Sequence, residues 1–303
     1  MIRKQGENPN SLPRNLYFTF CGDLLASGGA HYEKGHRTSL DEAIRLANRH
    51  YSDDFSESLA MWQLRNSLWK NDLKSLMAQR NVFLDVIRTH FSAHSQQYSP
   101  WATALFAENC IDKYAELLVN HSSCGLAMRA TALGSSSLTL EQVMPLFLIT
   151  HANVQAVSGG YYILGMARAF LEGNALSFAM IAAEAAEKRG RSLSLDFLES
   201  HNLPNLRDIR PSSSVRYVCE KRDPYCVIKD INQDGIETHF AVSAVILILN
   251  EIEWFDVKNG AAHVVLRAME IGGDPDTIAS IAMGLYGLWQ KDRAEAELSK
   301  ILL

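Results

Sequence analysis

The chain has no Cys-x-x-Cys pair, no apolar stretch long enough to cross a bilayer, no excess of positive charge and no series of alternating strands. Each absence removes a class of protein. The five cysteines, Cys21, Cys110, Cys124, Cys219 and Cys226, are odd in number and irregular in spacing. A zinc ribbon is therefore excluded, and a reduced, cytoplasmic compartment fits. Residues Met1 to Arg14 are polar and lack an apolar core, so no secretory signal is visible. The longest apolar run, Phe240 to Leu249, is too short for a membrane span and reads as a buried helix. A net charge of −5 leaves no basic footprint for nucleic acid. A small phosphate-bearing ligand stays compatible, because local charge decides that. There is no Walker loop, no Gly-x-Ser-x-Gly elbow and no dinucleotide fingerprint.

What remains is helical periodicity. Segments of helix length recur at Asp41–His50, Phe55–Trp69, Leu73–Phe91, Ala102–Asn120, Val154–Leu171 and Ala175–Arg189, then at His239–Glu251, Val257–Met269, Pro275–Trp289 and Arg293–Leu302. Thr139–His151 is helical in pattern but carries Pro145. Residues 202–238, with Pro204, Pro211, Pro224 and Asp234-Gly235, read as an irregular insertion. Within it, Val215 to Ile231 reads as a short hairpin or an ordered loop. The expectation is one all-α domain spanning residues 1–303.

Two acidic motifs stand out. Ser52-Asp53-Asp54 and Gly272-Gly273-Asp274-Pro275-Asp276-Thr277 each offer two carboxylates and a hydroxyl. That all-oxygen set suits a hard cation such as Mg²⁺. Each motif also has a plain structural reading. Asp274 suits a helix N-cap, Pro275 the first helical position, and Asp276 the first turn. Asp54 and Glu57 suit a capping box. Brought together, the two motifs would form a two-metal hydrolytic centre. Glu33 is a further candidate oxygen ligand, or a solvated loop carboxylate. Arg129 is suited either to a phosphate or to a structural ion pair. Trp101 is suited to stacking on a base or, the reading preferred here, to a place in the core. His90 and His94, four apart, lack an evident third ligand.

The order of these segments resembles the ADP-ribosylglycohydrolase family, which includes the dinitrogenase reductase-activating glycohydrolases. Cys21-Gly22-Asp23 with Glu33 is similar to the family's opening segment. Ser52-Asp53-Asp54 is similar to its Thr-Asp-Asp-Thr, and Gly125-Leu126-Ala127-Met128-Arg129 with Leu133-Gly134 to its Asn-Gly-small-Ala-Met-Arg…Leu-Gly. Thr150-His151 is similar to its Thr-His, and Gly273-Asp274-Pro275-Asp276-Thr277 to its Gly-Asp-x-Asp-Thr. The resemblance implies a compact orthogonal helix bundle that binds two Mg²⁺ ions and releases ADP-ribose from modified protein side chains. Carried over, it makes Ser52, Asp53, Asp54, Asp274, Asp276 and Thr277 metal ligands, with Asp53 or Asp54 as catalytic base. Glu33, Gly125, His151 and Gly273 fall at substrate-binding positions. The partners implied are an ADP-ribosylated protein substrate and the ADP-ribose product, with no nucleic acid and no membrane span.

The chain also departs from the family pattern. Ser52 replaces Thr and keeps the hydroxyl, whereas Phe55 replaces a Thr and loses one. Cys124 replaces the Asn before Gly125, and Leu126 stands where a small residue is usual. The glycine-rich diphosphate loop is missing, its place falling near Ser99-Pro100-Trp101-Ala102-Thr103. Pro100 has no N–H to offer a phosphate, and Trp101 is bulky. The favoured expectation is hydrolysis of ADP-ribosylarginine. The alternatives are a catalytically inactive module that binds ADP-ribose or a protein, and a hydrolase for another linkage such as one to serine. The absent signal and the polar tail from Lys291 also accommodate a bacterial protein delivered into host cells.

Overall fold

The computed structural model describes residues 14–26, 53–67, 70–93, 99–205, 210–221 and 237–302. Among them are fourteen helices and no strand, and one isolated bridge joins Ser123 to Glu237. The all-α expectation holds. In chain order the helices are α1 (Arg14–Ala26), α2 (Asp53–Leu64), α3 (Leu73–Ala93), α4 (Pro100–Ala107), α5 (Ile111–Asn120), α6 (Gly125–Leu133) and α7 (Leu140–Leu148). Then follow α8 (Val154–Leu171), α9 (Leu176–Ser200), α10 (Pro211–Lys221), α11 (Thr238–Trp254), α12 (Gly260–Ile271), α13 (Pro275–Gln290) and α14 (Asp292–Leu302). None of the described helices is long and apolar enough to cross a membrane.

One contiguous hydrophobic core runs from Phe18 to Ile301. Three helices, α8, α11 and α13, are buried on nearly every side. That explains the unbroken apolar run in α11: a helix surrounded by protein needs no polar face. Helix α1 lies against α13. A Cβ on Gly22 would sit 2.3 Å from the carbonyl oxygen of Ala279, so only glycine lets the two backbones approach so closely.

The structure departs from the periodicity in identifiable places. The expected Ala102–Asn120 helix is two helices, α4 and α5. The Glu108 carboxylate accepts from the backbone N–H groups of Asn109 and Cys110 at 2.8 and 2.7 Å and opens the chain there. Pro145 sits inside α7, which is held at its start by a capping box between Thr139 and Gln142. Part of the stretch read as irregular is helical, since α10 covers Pro211–Lys221. The hairpin or loop expected from Val215 onward is therefore helix as far as Lys221, and its remainder lies outside the described residues. Helices α1 and α6 were hidden by their surroundings: both are largely buried and show no polar stripe. The Asp41–His50 helix lies outside the described residues, as do Glu33, Ser52, His94 and Cys226.

Candidate active site

Helix α13 begins at Asp274, and Pro275 occupies its first turn. The approach is made by Gly272 and Gly273 at φ +72° and +83°, a left-handed conformation that side chains other than glycine adopt only under strain. Asp274 occupies the N-cap position, but its carboxylate makes no capping hydrogen bond. It accepts instead from the Cys124 thiol, Sγ to Oδ2 3.0 Å. Capping alone therefore does not account for Asp274. Asp276, in the first turn, accepts from the Thr277 backbone N–H at 3.1 Å.

These residues border a cavity of about 320 Å³. Its wall holds Gly273, Asp274, Asp276 and Thr277 from the α13 start, and Ser123, Cys124, Gly125, Met128 and Arg129 from α6 and the turn before it. Glu57 enters from α2, Thr150 and His151 from the loop ahead of α8, and Ser99, Trp101, Ala102 and Phe106 from α4. His121 completes the wall. The starts of α4, α6 and α13 thus meet at one place. Helix N-termini carry partial positive charge, so they favour anionic groups, and a cation here needs carboxylates to offset them.

A buried polar network forms the floor. Arg129, 2% exposed, is ion-paired with Glu57. It also donates to Thr150 Oγ1 at 2.6 Å and lies 3.2 Å from His151 Nδ1. Of the two readings of Arg129, the ion pair is the one realised. Glu57 thereby faces Arg129. His151 Nε2 lies 3.0 Å from the Ser123 hydroxyl. Burial, then the Arg129 guanidinium, then His121 hold the His151 pKa well below the usual imidazole value, so the ring is neutral.

Trp101 is half-buried: it packs against the core on one side and lines the cavity on the other. Its ring stacks on His121 with centroids 4.1 Å apart and an interplanar angle of 30°. Its Nε1–H donates to the Leu117 carbonyl at 3.0 Å, which fixes the indole. At residues 99–103, the place assigned to the missing glycine-rich loop, helix α4 starts, with Ser99 accepting from the Ala102 N–H at 3.1 Å.

Six of the residues named from the sequence as metal or substrate ligands therefore share the cavity: Gly125, His151, Gly273, Asp274, Asp276 and Thr277. Asp53 and Asp54 open α2, the helix from which Glu57 reaches the wall, but their side chains lie outside the described residues. Among the described residues, no group of three His, Cys, Asp or Glu is placed to hold a metal. Asp274, Asp276 and Thr277 fit as one part of an all-oxygen site, since the Asp274 carboxylate is not used as a cap. Sequence reasoning missed His121, Ser123 and the pairing of Glu57 with Arg129. The only signal was position: His121 to Cys124 immediately precede the Gly125 motif.

The chain matches the family model for ADP-ribosylglycohydrolase over residues 19–292. Among solved structures it is similar to a chain described as "ADP-ribosylglycohydrolase-related protein complex", with a TM-score of 0.55 and 15% identity over 95% of each chain. At that identity the likeness speaks for the fold. A comparison with curated proteins found no match.

Proposed function

This chain belongs to the ADP-ribosylglycohydrolase family, and from that premise we propose that it is a Mg²⁺-dependent hydrolase that removes ADP-ribose from modified arginine side chains. The observation that carries the reading is the Asp274 carboxylate. It borders the cavity yet does not cap its helix, which leaves it available as a ligand. Asp274, Asp276 and Thr277 would hold the cation, together with Ser52, Asp53 and Asp54 from the other acidic motif. Two Mg²⁺ ions bound there would orient ribose hydroxyls and make a coordinated water more acidic.

The chain's own residues supply the rest. In the hydrolysis, a C–O bond forms between water and the anomeric carbon as the C–N bond to the guanidine breaks. The proton lost by water passes to a carboxylate, Asp53 or Asp54, and the departing guanidine nitrogen gains a proton. Arginine is the favoured acceptor because its guanidine leaves with little acid assistance. Neutral His151 hydrogen-bonds the wall without adding charge to a site that must accept cations. Gly125 and Gly273 let backbone come close to the sugar or phosphates.

The test is release of ADP-ribose from an arginine-ADP-ribosylated protein, with Mg²⁺ and after chelation. Metal-dependent release is expected. Release unaffected by chelation, or confined to serine-linked ADP-ribose, contradicts the reading. The second reading, a binding module without turnover, draws support from Trp101 in the cavity wall and from Pro100 beside it in the chain. It is the outcome if ADP-ribose binds and no linkage is cleaved.

A further inference from the structure

The hydrogen bonds around His151 determine where its single ring proton resides. Arg129 is a donor at every nitrogen and stays charged. Its guanidinium lies 3.2 Å from His151 Nδ1, so Nδ1 has no proton and acts as an acceptor. Thr150 agrees with this assignment. Its Oγ1 accepts from Arg129 at 2.6 Å and lies 3.0 Å from the same Nδ1, toward which its own hydrogen can turn once Nδ1 is an acceptor. The neutral ring must then be protonated at Nε2. That N–H faces Ser123 Oγ at 3.0 Å and donates to it.

With its oxygen engaged as an acceptor, the Ser123 hydroxyl has its own hydrogen to place. Ser123 lines the cavity. Its backbone is tied down by Thr238, whose Oγ1 lies 2.6 Å from the carbonyls of both Ser122 and Ser123 and shares its one hydrogen between them. Among the described residues no acceptor is paired with that hydrogen. We infer that Ser123 is a donor to the bound ligand, directed at an anionic oxygen, and that Arg129 sets this polarity through His151. This rests on the reading of the cavity as an ADP-ribose site. A ribose hydroxyl can donate or accept, whereas a phosphate oxygen only accepts, and the charge strengthens the bond. The nearby starts of α4 and α6 favour the same negative group. Ser123 thus contacts ligand, and Arg129 and His151 are positioning residues.

Two measurements on the full chain test this. Long-range ¹H–¹⁵N NMR of the histidine-labelled protein, with His151 assigned through a His151→Gln variant, reads the tautomer directly. Protonation at Nε2 is expected, and protonation at Nδ1 overturns the inference whatever the ligand. Calorimetric titration with ADP-ribose then compares wild type with Ser123→Ala. A loss of affinity of about tenfold is expected, accompanied by a changed ³¹P resonance of the bound diphosphate. Equal affinities, or a weaker complex with unchanged ³¹P resonances, overturn the phosphate contact. If the wild type binds no ADP-ribose, the functional reading itself fails, an outcome distinct from equal binding by both proteins.

Discussion

The Cys124 thiol and the Asp274 carboxylate lie 3.0 Å apart although 150 residues separate them in the chain. The contact ties the start of α6 to the start of α13. It also gives Asp274 a partner that is not its own helix. Asp274→Ala is therefore expected to leave the fold nearly intact, because no capping hydrogen bond is lost. Hydrolysis is expected to fall by more than the ~10–100-fold typical of removing a group behind a metal ligand. Cys124→Ala, which keeps the carboxylate, should retain most activity. Steady-state release of ADP-ribose, beside a circular dichroism melt of each variant, checks both. An active Asp274→Ala protein would remove this residue from the site.

Arg129 and Glu57 present a different balance. Both are buried, at 2% and 8% exposure, so removing one charge strands the other away from water. Arg129→Met is expected to destabilise the fold by about 3–5 kcal/mol. Adding Glu57→Gln in the same chain should recover part of that loss, since the orphaned carboxylate is gone. Urea unfolding of the two variants measures the difference. If Arg129→Met costs under about 1 kcal/mol, the pair is not a structural one.

The sequence exposed this site unevenly, and the reasons are physical. Gly273-Asp274-Pro275-Asp276-Thr277 was legible because a glycine turn, a cap and a first-turn acid occupy fixed places within a few residues. Helix α11 was legible because burial on all sides writes an apolar run into the chain. Helix α1 was not, for the same cause: without a polar face its 3.6-residue period is faint. Trp101 was read as core because its size fits an interior, and only the fold brings His121 beneath it. The Arg129–Glu57 pair spans 72 residues, a separation at which no local pattern names the partner. Ser123 has no motif of its own. Its role depends on a proton placed by residues from three different segments.

The contact between α1 and α13 gives a sharp test of the packing. An added Cβ at Gly22 would come within 2.3 Å of the Ala279 carbonyl oxygen and 2.8 Å of Met283 Cβ. Backbone cannot swing aside as a side-chain tip can, so Gly22→Ala must push the two helices apart. A loss of about 1–3 kcal/mol is expected from such overpacking. Helix α13 starts at the acidic turn, so activity should fall together with stability. A Gly22→Ala protein with unchanged urea midpoint would show that the helices are not so closely apposed.

His151 predicts how stability responds to acid. The groups facing it are Arg129, His121, Thr150, Ser123 and the Trp101 ring, and none is an anion. Burial and the Arg129 charge keep the ring unprotonated in the folded protein, whereas in the unfolded chain it titrates near the ordinary value of about 6.5. Below that pH the unfolded state binds a proton that the folded state refuses. Stability contributed by His151 is therefore fully present above about pH 6.5 and is lost as pH falls toward the depressed folded value. The limiting slope is about 1.4 kcal/mol per pH unit for one proton. Carboxylates elsewhere titrate too. Burial raises Glu187, whereas Glu251, though burial pushes it up, is held lower by its hydrogen bonds to His263 and Arg267. The useful quantity is thus the difference between wild type and His151→Gln. Urea unfolding at pH 7.5, 6.5 and 5.5 should show the wild type losing ground to the variant only on the acid side. A difference that stays constant across the three values would mean that His151 takes up its proton without leaving the fold.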